Sequence, residues 1–164
     1  KIFMKIPGVA STCVGYMGGQ TQNPTYRDVC TDRTGHAEVL QLQYDPVVVS
    51  YEELLITFWE WHDPTTLDRQ GQDIGSQYRS VIFYEDEEQA TSARRSKEIL
   101  QKAKIYQSPI VTEITPAKEY YPAEESHQKY LVKNPAGYCS HFLHSPKIRE
   151  VLTTQLLPKD KKSR

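Results

Sequence analysis

Residues 70–84 read Gln70-Gly71-Gln72-Asp73-Ile74-Gly75-Ser76-Gln77-Tyr78-Arg79-Ser80-Val81-Ile82-Phe83-Tyr84, a polar, glycine-punctuated stretch that runs directly into a β-strand. Gly71 and Gly75 permit positive φ and close backbone approach, and Asp73 lies between them. From Tyr78 the residues alternate, with Tyr78, Ser80, Ile82 and Tyr84 on one side and Arg79, Val81 and Phe83 on the other. That period predicts a strand starting at Tyr78. The loop then brings Asp73 to the mouth of the strand and Tyr78 to its first position. Polar groups held at the ends of rigid strands are where sites are built. An ordinary loop closed by an Asx-turn would account for the same residues without chemistry.

Working upstream, Ser50-Tyr51-Glu52-Glu53 is a capping box that opens a helix to about Trp61. Its buried stripe is expected at Leu54, Leu55, Phe58 and Trp61 or His62, and His62-Asp63-Pro64 leads into the organising loop. Before it, residues 36–44 predict a strand with His36, Glu38, Leu40, Leu42 and Tyr44 on one face. Glu38 is an acid among apolar neighbours, which an edge or rim position explains without any function. A further strand is expected over 9–16, ending at Gly18-Gly19, followed by a long polar loop over 20–35 that contains Asn23-Pro24-Thr25-Tyr26. Lys1–Ile6 has helical spacing, is stopped by Pro7-Gly8, and reads as the back half of a helix, so the natural N-terminus is expected upstream of Lys1.

Downstream, Asp86 and Gln89 start a helix over 87–104, with Ala90, Ala93, the Lys97 stem, Leu100 and Ala103 facing in. A strand is expected over 110–115, and Pro122 opens a short helix through Leu131. The Asn134-Pro135-Ala136-Gly137 turn presents Tyr138-Cys139, and another short helix lies near 146–156. Residues 1–158 read as one domain, and Lys159–Arg164 as a basic tail or linker. Strands and helices in mixed order, without a βαβ rhythm, predict an α+β two-layer domain.

The totals narrow the partners and the compartment. A chain of 164 residues can bury a core without staples. A formal net charge of −1 with 25% charged residues argues against nucleic acid or an anionic membrane as a bulk partner. No apolar run reaches the length of a membrane span. Cys13, Cys30 and Cys139, with no CxxC pair, suit a reducing compartment, and a cytoplasmic protein is expected.

Phosphate loops, GxSxG, HExxH and the dinucleotide fingerprint are all missing from the sequence. Cys139-Ser140-His141-Phe142-Leu143-His144, with His127 upstream, lacks the second ligand pair of a zinc site. What remains is Tyr26, Glu38, Asp73 and Tyr78 in polar-to-strand settings, with Cys139 on a glycine-bearing segment. That inventory suits a proton donor and hydrogen-bonding phenols around a polarised oxygen, together with thiol redox chemistry.

Several ordered motifs carry a resemblance. They are Val9-Ala-Ser-Thr-Cys-Val-Gly-Tyr16 with Gly18-Gly19, Asn23-Pro-Thr-Tyr26, Gly35-His-Ala-Glu38, His62-Asp-Pro64, Arg69-Gln-Gly-Gln-Asp73, Gly75-Ser-Gln-Tyr-Arg-Ser80, His127-Gln128 and Asn134-Pro-Ala-Gly-Tyr-Cys139. In these the chain resembles peptide methionine sulfoxide reductase A. The resemblance implies an α/β roll related to the ferredoxin-like fold, with a mixed sheet, helices packed on it and a long irregular C-terminal segment. It also implies reduction of the S-epimer of methionine sulfoxide, free or in proteins, by a monomer recycled by thioredoxin or by dithiothreitol, with no metal or prosthetic cofactor.

By position, the resemblance implies that Glu38 protonates the sulfoxide oxygen, that Tyr26 and Tyr78 hydrogen-bond it, and that Asp73 belongs to the polar wall. Cys139 would be the resolving cysteine that attacks the sulfenic acid. No cysteine follows Cys139, so a two-cysteine cycle is implied. One departure stands out. The family's nucleophilic cysteine lies in a Gly-Cys-Phe-Trp-Gly motif that these residues do not contain, and it is expected upstream of Lys1. Cys13 in a strand and Cys30 in the long loop read as structural or incidental thiols. The competing reading is a domain that binds methionine sulfoxide or a partner without chemistry.

Overall fold

The structure, a computed structural model, describes residues 1–138 and 145–158. Cys139, His141, His144 and the tail Lys159–Arg164 lie outside the described residues. In chain order the elements are β1 (Val9–Met17), α1 (Tyr26–Val29), β2 (Ala37–Tyr44), α2 (Tyr51–Glu60), β3 (Arg69–Gln70), β4 (Asp73–Ile74), β5 (Val81–Tyr84), α3 (Glu87–Lys102), β6 (Glu113–Pro116), β7 (Tyr121–Pro122), α4 (Tyr130–Lys133) and α5 (Pro146–Gln155).

Alternating side chains build the long hairpin of β1 and β2, which pair antiparallel with Tyr16 opposite Glu38 and a bulge between Val9 and Ser11. β7 adds to the other edge of β1, giving the order β2-β1-β7. Two smaller sheets complete the strands, the antiparallel pair β3-β4 and the parallel pair β5-β6. The fold is α+β as expected, and among the described residues its strands divide among three small sheets.

Three helices, α2, α3 and α5, pack together. α2 starts at the Ser50–Glu53 capping box, formed reciprocally as its sequence predicts. Leu55, Ile56 and Trp59 of α2 pack with Ala93, Ile99 and Leu100 of α3 and with Ile148 and Leu152 of α5. Trp59 is fully buried, and its indole N–H donates to Ser96 Oγ at 2.8 Å, so the ring enters the core without stranding a donor. Glu60, only 4% exposed, accepts from Arg149 Nε at 2.8 Å and so binds α5 to α2.

Several local expectations are corrected. Lys1–Ile6 holds a single 3-10 turn, Phe3–Lys5. The loop over 20–35 contains α1, started by a Thr25–Asp28 capping box. Tyr78 ends a 3-10 turn, Ser76–Tyr78, and the strand begins only at Val81. The alternation seen from Tyr78 is thus partly a turn in which Gly75 takes φ 145°. Pro122 lies in β7 rather than at a helix start, and its missing N–H is tolerated on a short outer strand. α3 stops at Lys102, leaving Ala103 exposed, while Ser96 and Ile99 take places on its buried face. Trp59 takes the core place assigned to Trp61.

Candidate active site

The upper end of the β1-β2 hairpin, α1 and the turn before β5 meet at one surface. Glu38 is the second residue of β2, opposite Tyr16 of β1. Tyr26 opens α1, and the Tyr78 phenol approaches from the 3-10 turn. Local hydrogen bonds fix each carrier. His36, 2% exposed, accepts at Nδ1 from Gly19 N–H (3.1 Å) and donates from Nε2 to the Thr21 carbonyl (2.8 Å), which pins the entry to β2. Ser80, two residues after Tyr78, donates to His62 Nε2 and meets Thr112 Oγ1, both at 2.8 Å. Gln70 is buried and bonds both backbone groups of Asp63, at 2.8 and 3.1 Å. That holds the β3-β4 turn, where Gly71 takes φ 61° and Asp73 pairs with Gln70.

Electrostatics show how closely these groups interact. Glu38 presents surface to solvent, yet the protein crowded around it raises its carboxyl above the usual range. Asp73 adds to that rise with its like charge, and His127 opposes it. The Tyr26 phenol is raised far above its ordinary value, first by a hydrogen bond with the Cys30 thiol, then by burial and by the charges of Tyr78, Cys30 and Glu38. Tyr78 is raised by burial and by Glu38 and Cys30, while a hydrogen bond with Tyr26 draws it back. The two phenols therefore stay protonated near neutrality and offer O–H donors beside one carboxyl.

Of the residues singled out from the sequence, Glu38, Tyr26, Tyr78 and Asp73 form one electrostatically coupled group. Cys139 lies outside the described residues, but the preceding Tyr138 donates from its hydroxyl to Asp73 Oδ1 at 3.2 Å. Among the described residues, no group of three His, Cys, Asp or Glu side chains could hold a metal ion.

Sequence reasoning missed four participants. Glu124 accepts from the Tyr26 backbone N–H at 2.7 Å and from the Tyr16 hydroxyl at 2.9 Å, with His127 Nδ1 at 3.4 Å. The bond from Tyr26 N–H is the largest cause that holds its carboxyl down, to about 2. Tyr16, 2% exposed, has its phenol pushed well up by burial and by its bond to Glu124. The His127 ring packs on that of Tyr26 with centroids 4.6 Å apart. Cys30, read as an incidental loop thiol, caps α1 and lies against the Tyr26 phenol. The Thr25-x-x-Asp28 box could have flagged α1 and so brought Cys30 near Tyr26. Nothing local links Glu124 to Tyr26 across 98 residues.

Comparison with known proteins bears on the same surface. A sequence model of the family described as peptide methionine sulfoxide reductase matches residues 1–159. A protein of Methanoculleus marisnigri, peptide methionine sulfoxide reductase MsrA, is 56% identical over 137 residues, covering 84% of both chains. Mxr1 of Saccharomyces cerevisiae in its reduced form superposes with a TM-score of 0.78 at 38% identity, covering 84% of this chain and 80% of that one. Mxr1 in complex with Trx2 superposes with a TM-score of 0.54 at 25% identity, covering 84% and 73%.

Proposed function

The chain belongs to the peptide methionine sulfoxide reductase family, and from that premise we propose that its Glu38–Tyr26–Tyr78 surface binds and protonates a sulfoxide oxygen. The activity is thiol-dependent reduction of methionine sulfoxide. A thiolate attacks the sulfoxide sulfur and forms an S–S bond as the protonated oxygen leaves as water; a water molecule then attacks the cysteine sulfur, the S–S bond breaks, and methionine is released with the thiol left as a sulfenic acid. The oxygen needs a proton as the S–O bond breaks. Glu38, raised toward working pH by its surroundings, supplies it. Tyr26 and Tyr78 hold the oxygen by hydrogen bonds, since their high values keep them donors. Asp73 shapes the polar wall and keeps the Glu38 proton in place by its like charge.

Cys139 then attacks the sulfenic sulfur, water leaves, and a disulfide forms. A thioredoxin dithiol reduces that disulfide, so two thiols convert one sulfoxide to methionine and water. The Mxr1–Trx2 complex supports this partner. The electrons come from thiols throughout, so the cycle calls for no metal and no prosthetic group. Cys13 and Cys30 are not read as the attacking thiol, which in the family lies in a Gly-Cys-Phe-Trp-Gly motif that these residues do not contain. The S-epimer as substrate, a monomer, a cytoplasmic setting and a single domain over 1–158 complete the reading. Among the described residues, no helix is long and apolar enough to cross a membrane.

The observation that carries this reading is that β2, α1 and the turn before β5 bring the Glu38 carboxyl and the Tyr26 and Tyr78 phenols to one surface, where the surroundings raise the Glu38 carboxyl. Single-turnover reduction by this chain extended at Lys1 with that motif tests it. Glu38→Gln keeps the shape but cannot transfer a proton, and should lose roughly 10²–10⁴-fold in rate with little loss of binding. Wild-type speed from Glu38→Gln would leave Glu38 a mere rim carboxylate.

A further inference from the structure

The Tyr78 turn begins without a cap of its own. It follows Gly75, which has no side chain to meet the first open N–H, Ser76 N–H. The missing acceptor comes from 44 residues upstream. Asp32 Oδ1 accepts from Ser76 N–H at 2.8 Å and from the Ser76 hydroxyl. Those two bonds also hold the Asp32 carboxyl below its usual range, so it is ionised at neutral pH.

Asp32 itself is in the left-handed region, at φ 62°. A side chain there costs conformational energy that glycine would avoid, although aspartate tolerates it better than most. Its N–H donates to the Val29 carbonyl at 3.1 Å, closing the helix that Tyr26 opens. One residue therefore ends the Tyr26 helix with its backbone and starts the Tyr78 turn with its carboxylate. A second tie runs parallel to it: Arg79 donates from Nη2 to the Gly35 carbonyl at 3.1 Å and from Nη1 to the Ser76 carbonyl at 2.9 Å. The turn that carries Tyr78 is thus fastened to the 30–36 segment at both ends.

We propose that Asp32 is a positioning residue of the site, whose carboxylate fastens the Tyr78 turn to the Tyr26 helix and so sets the separation of the two phenols. The inference rests on the reading that both phenols hold the sulfoxide oxygen. A residue that merely ends α1 would be replaced by glycine without loss, since glycine takes this φ freely. A clamp would not be. That difference supplies the test.

In the 164-residue protein with tyrosines ¹³C-labelled at Cζ, the Tyr78 resonance is identified by its loss in Tyr78→Phe. In the wild type, Tyr26→Phe should shift that resonance, because the phenols interact. In an Asp32→Gly background the same substitution should leave it in place, with the melting temperature lowered by loss of the two bonds to Ser76. Asp32→Asn, whose amide oxygen can still accept from Ser76, should restore the shift. In the protein bearing the nucleophile motif, Asp32→Gly should lower kcat about ten- to a hundred-fold at constant KM, the scale expected of a small misplacement. A Tyr26-dependent shift that survives in Asp32→Gly overturns the clamp. Loss of the shift with kcat unchanged keeps the clamp and overturns the catalytic role of the phenol pair.

Discussion

Two carboxylates, Glu60 on a helix and Glu38 on a strand, have opposite surroundings. Glu60, at the end of α2, is almost wholly buried and bonded to Arg149, with Thr57 Oγ1 also receiving Arg149 Nη2 at 3.4 Å. Its negative charge is answered by a guanidinium, and the pair fastens one helix to another. Glu38 stands open at the end of β2, and among the described residues no donor hydrogen-bonds it, while Asp73 presses a like charge toward it. The helical side spends its polar groups on packing. The sheet end leaves one acid in discomfort beside two phenols, a cost to stability that chemistry explains.

The helical half should give the largest responses. Trp59→Ala empties a fully buried site and removes the donor to Ser96 Oγ, and should cost about 3–5 kcal/mol in urea unfolding. A loss below about 1 kcal/mol would mean that the core is not organised around this ring. Arg149→Met should come next, at about 3 kcal/mol, because it leaves Glu60 buried without its guanidinium. Adding Glu60→Gln should recover part of that loss, and strict additivity of the two substitutions would deny the pairing.

Titration sharpens the contrast at the sheet end. The folded value of Glu124, about 2, lies below its ordinary 4.5. The stability it contributes is therefore present above pH 4.5 and is lost as pH falls toward about 2. Protection of the Tyr26 amide against exchange should fall across that window in the wild type and show no such step in Glu124→Gln. Glu38 has the opposite sign. Because its folded value is raised, its contribution is full below the unfolded value and is lost as pH rises through the folded one. Glu38→Gln should thus melt slightly higher than wild type at neutral pH, with the difference vanishing in acid. An equal or lower melting temperature at neutral pH would show that the acid is comfortable where it stands.

What was legible in the sequence was what local rules control. The Ser50–Glu53 box, the β1-β2 alternation and the Pro146 helix start all form as their residues direct. α1 escaped notice because four residues show no apolar period, although its capping box was in plain view. The turn at Tyr78 reads as part of the strand because the β-rich run Val81-Ile82-Phe83-Tyr84 follows it within three residues. Tyr26, Glu38, Asp73 and Tyr78 could be singled out by residue type, setting and resemblance. Glu124 and Asp32 could not, since each acts through a bond to a residue 98 or 44 positions away. Side-chain bonds to distant backbone leave no periodic trace.

The central claim is that Glu38 holds a proton for the sulfoxide oxygen, and titrating its side-chain carboxyl by ¹³C NMR tests this most directly. The account predicts a midpoint above the ordinary glutamate value of 4.5, moving down in Asp73→Asn as the neighbouring charge is removed. A midpoint at or below 4.5, unmoved by Asp73→Asn, would contradict it.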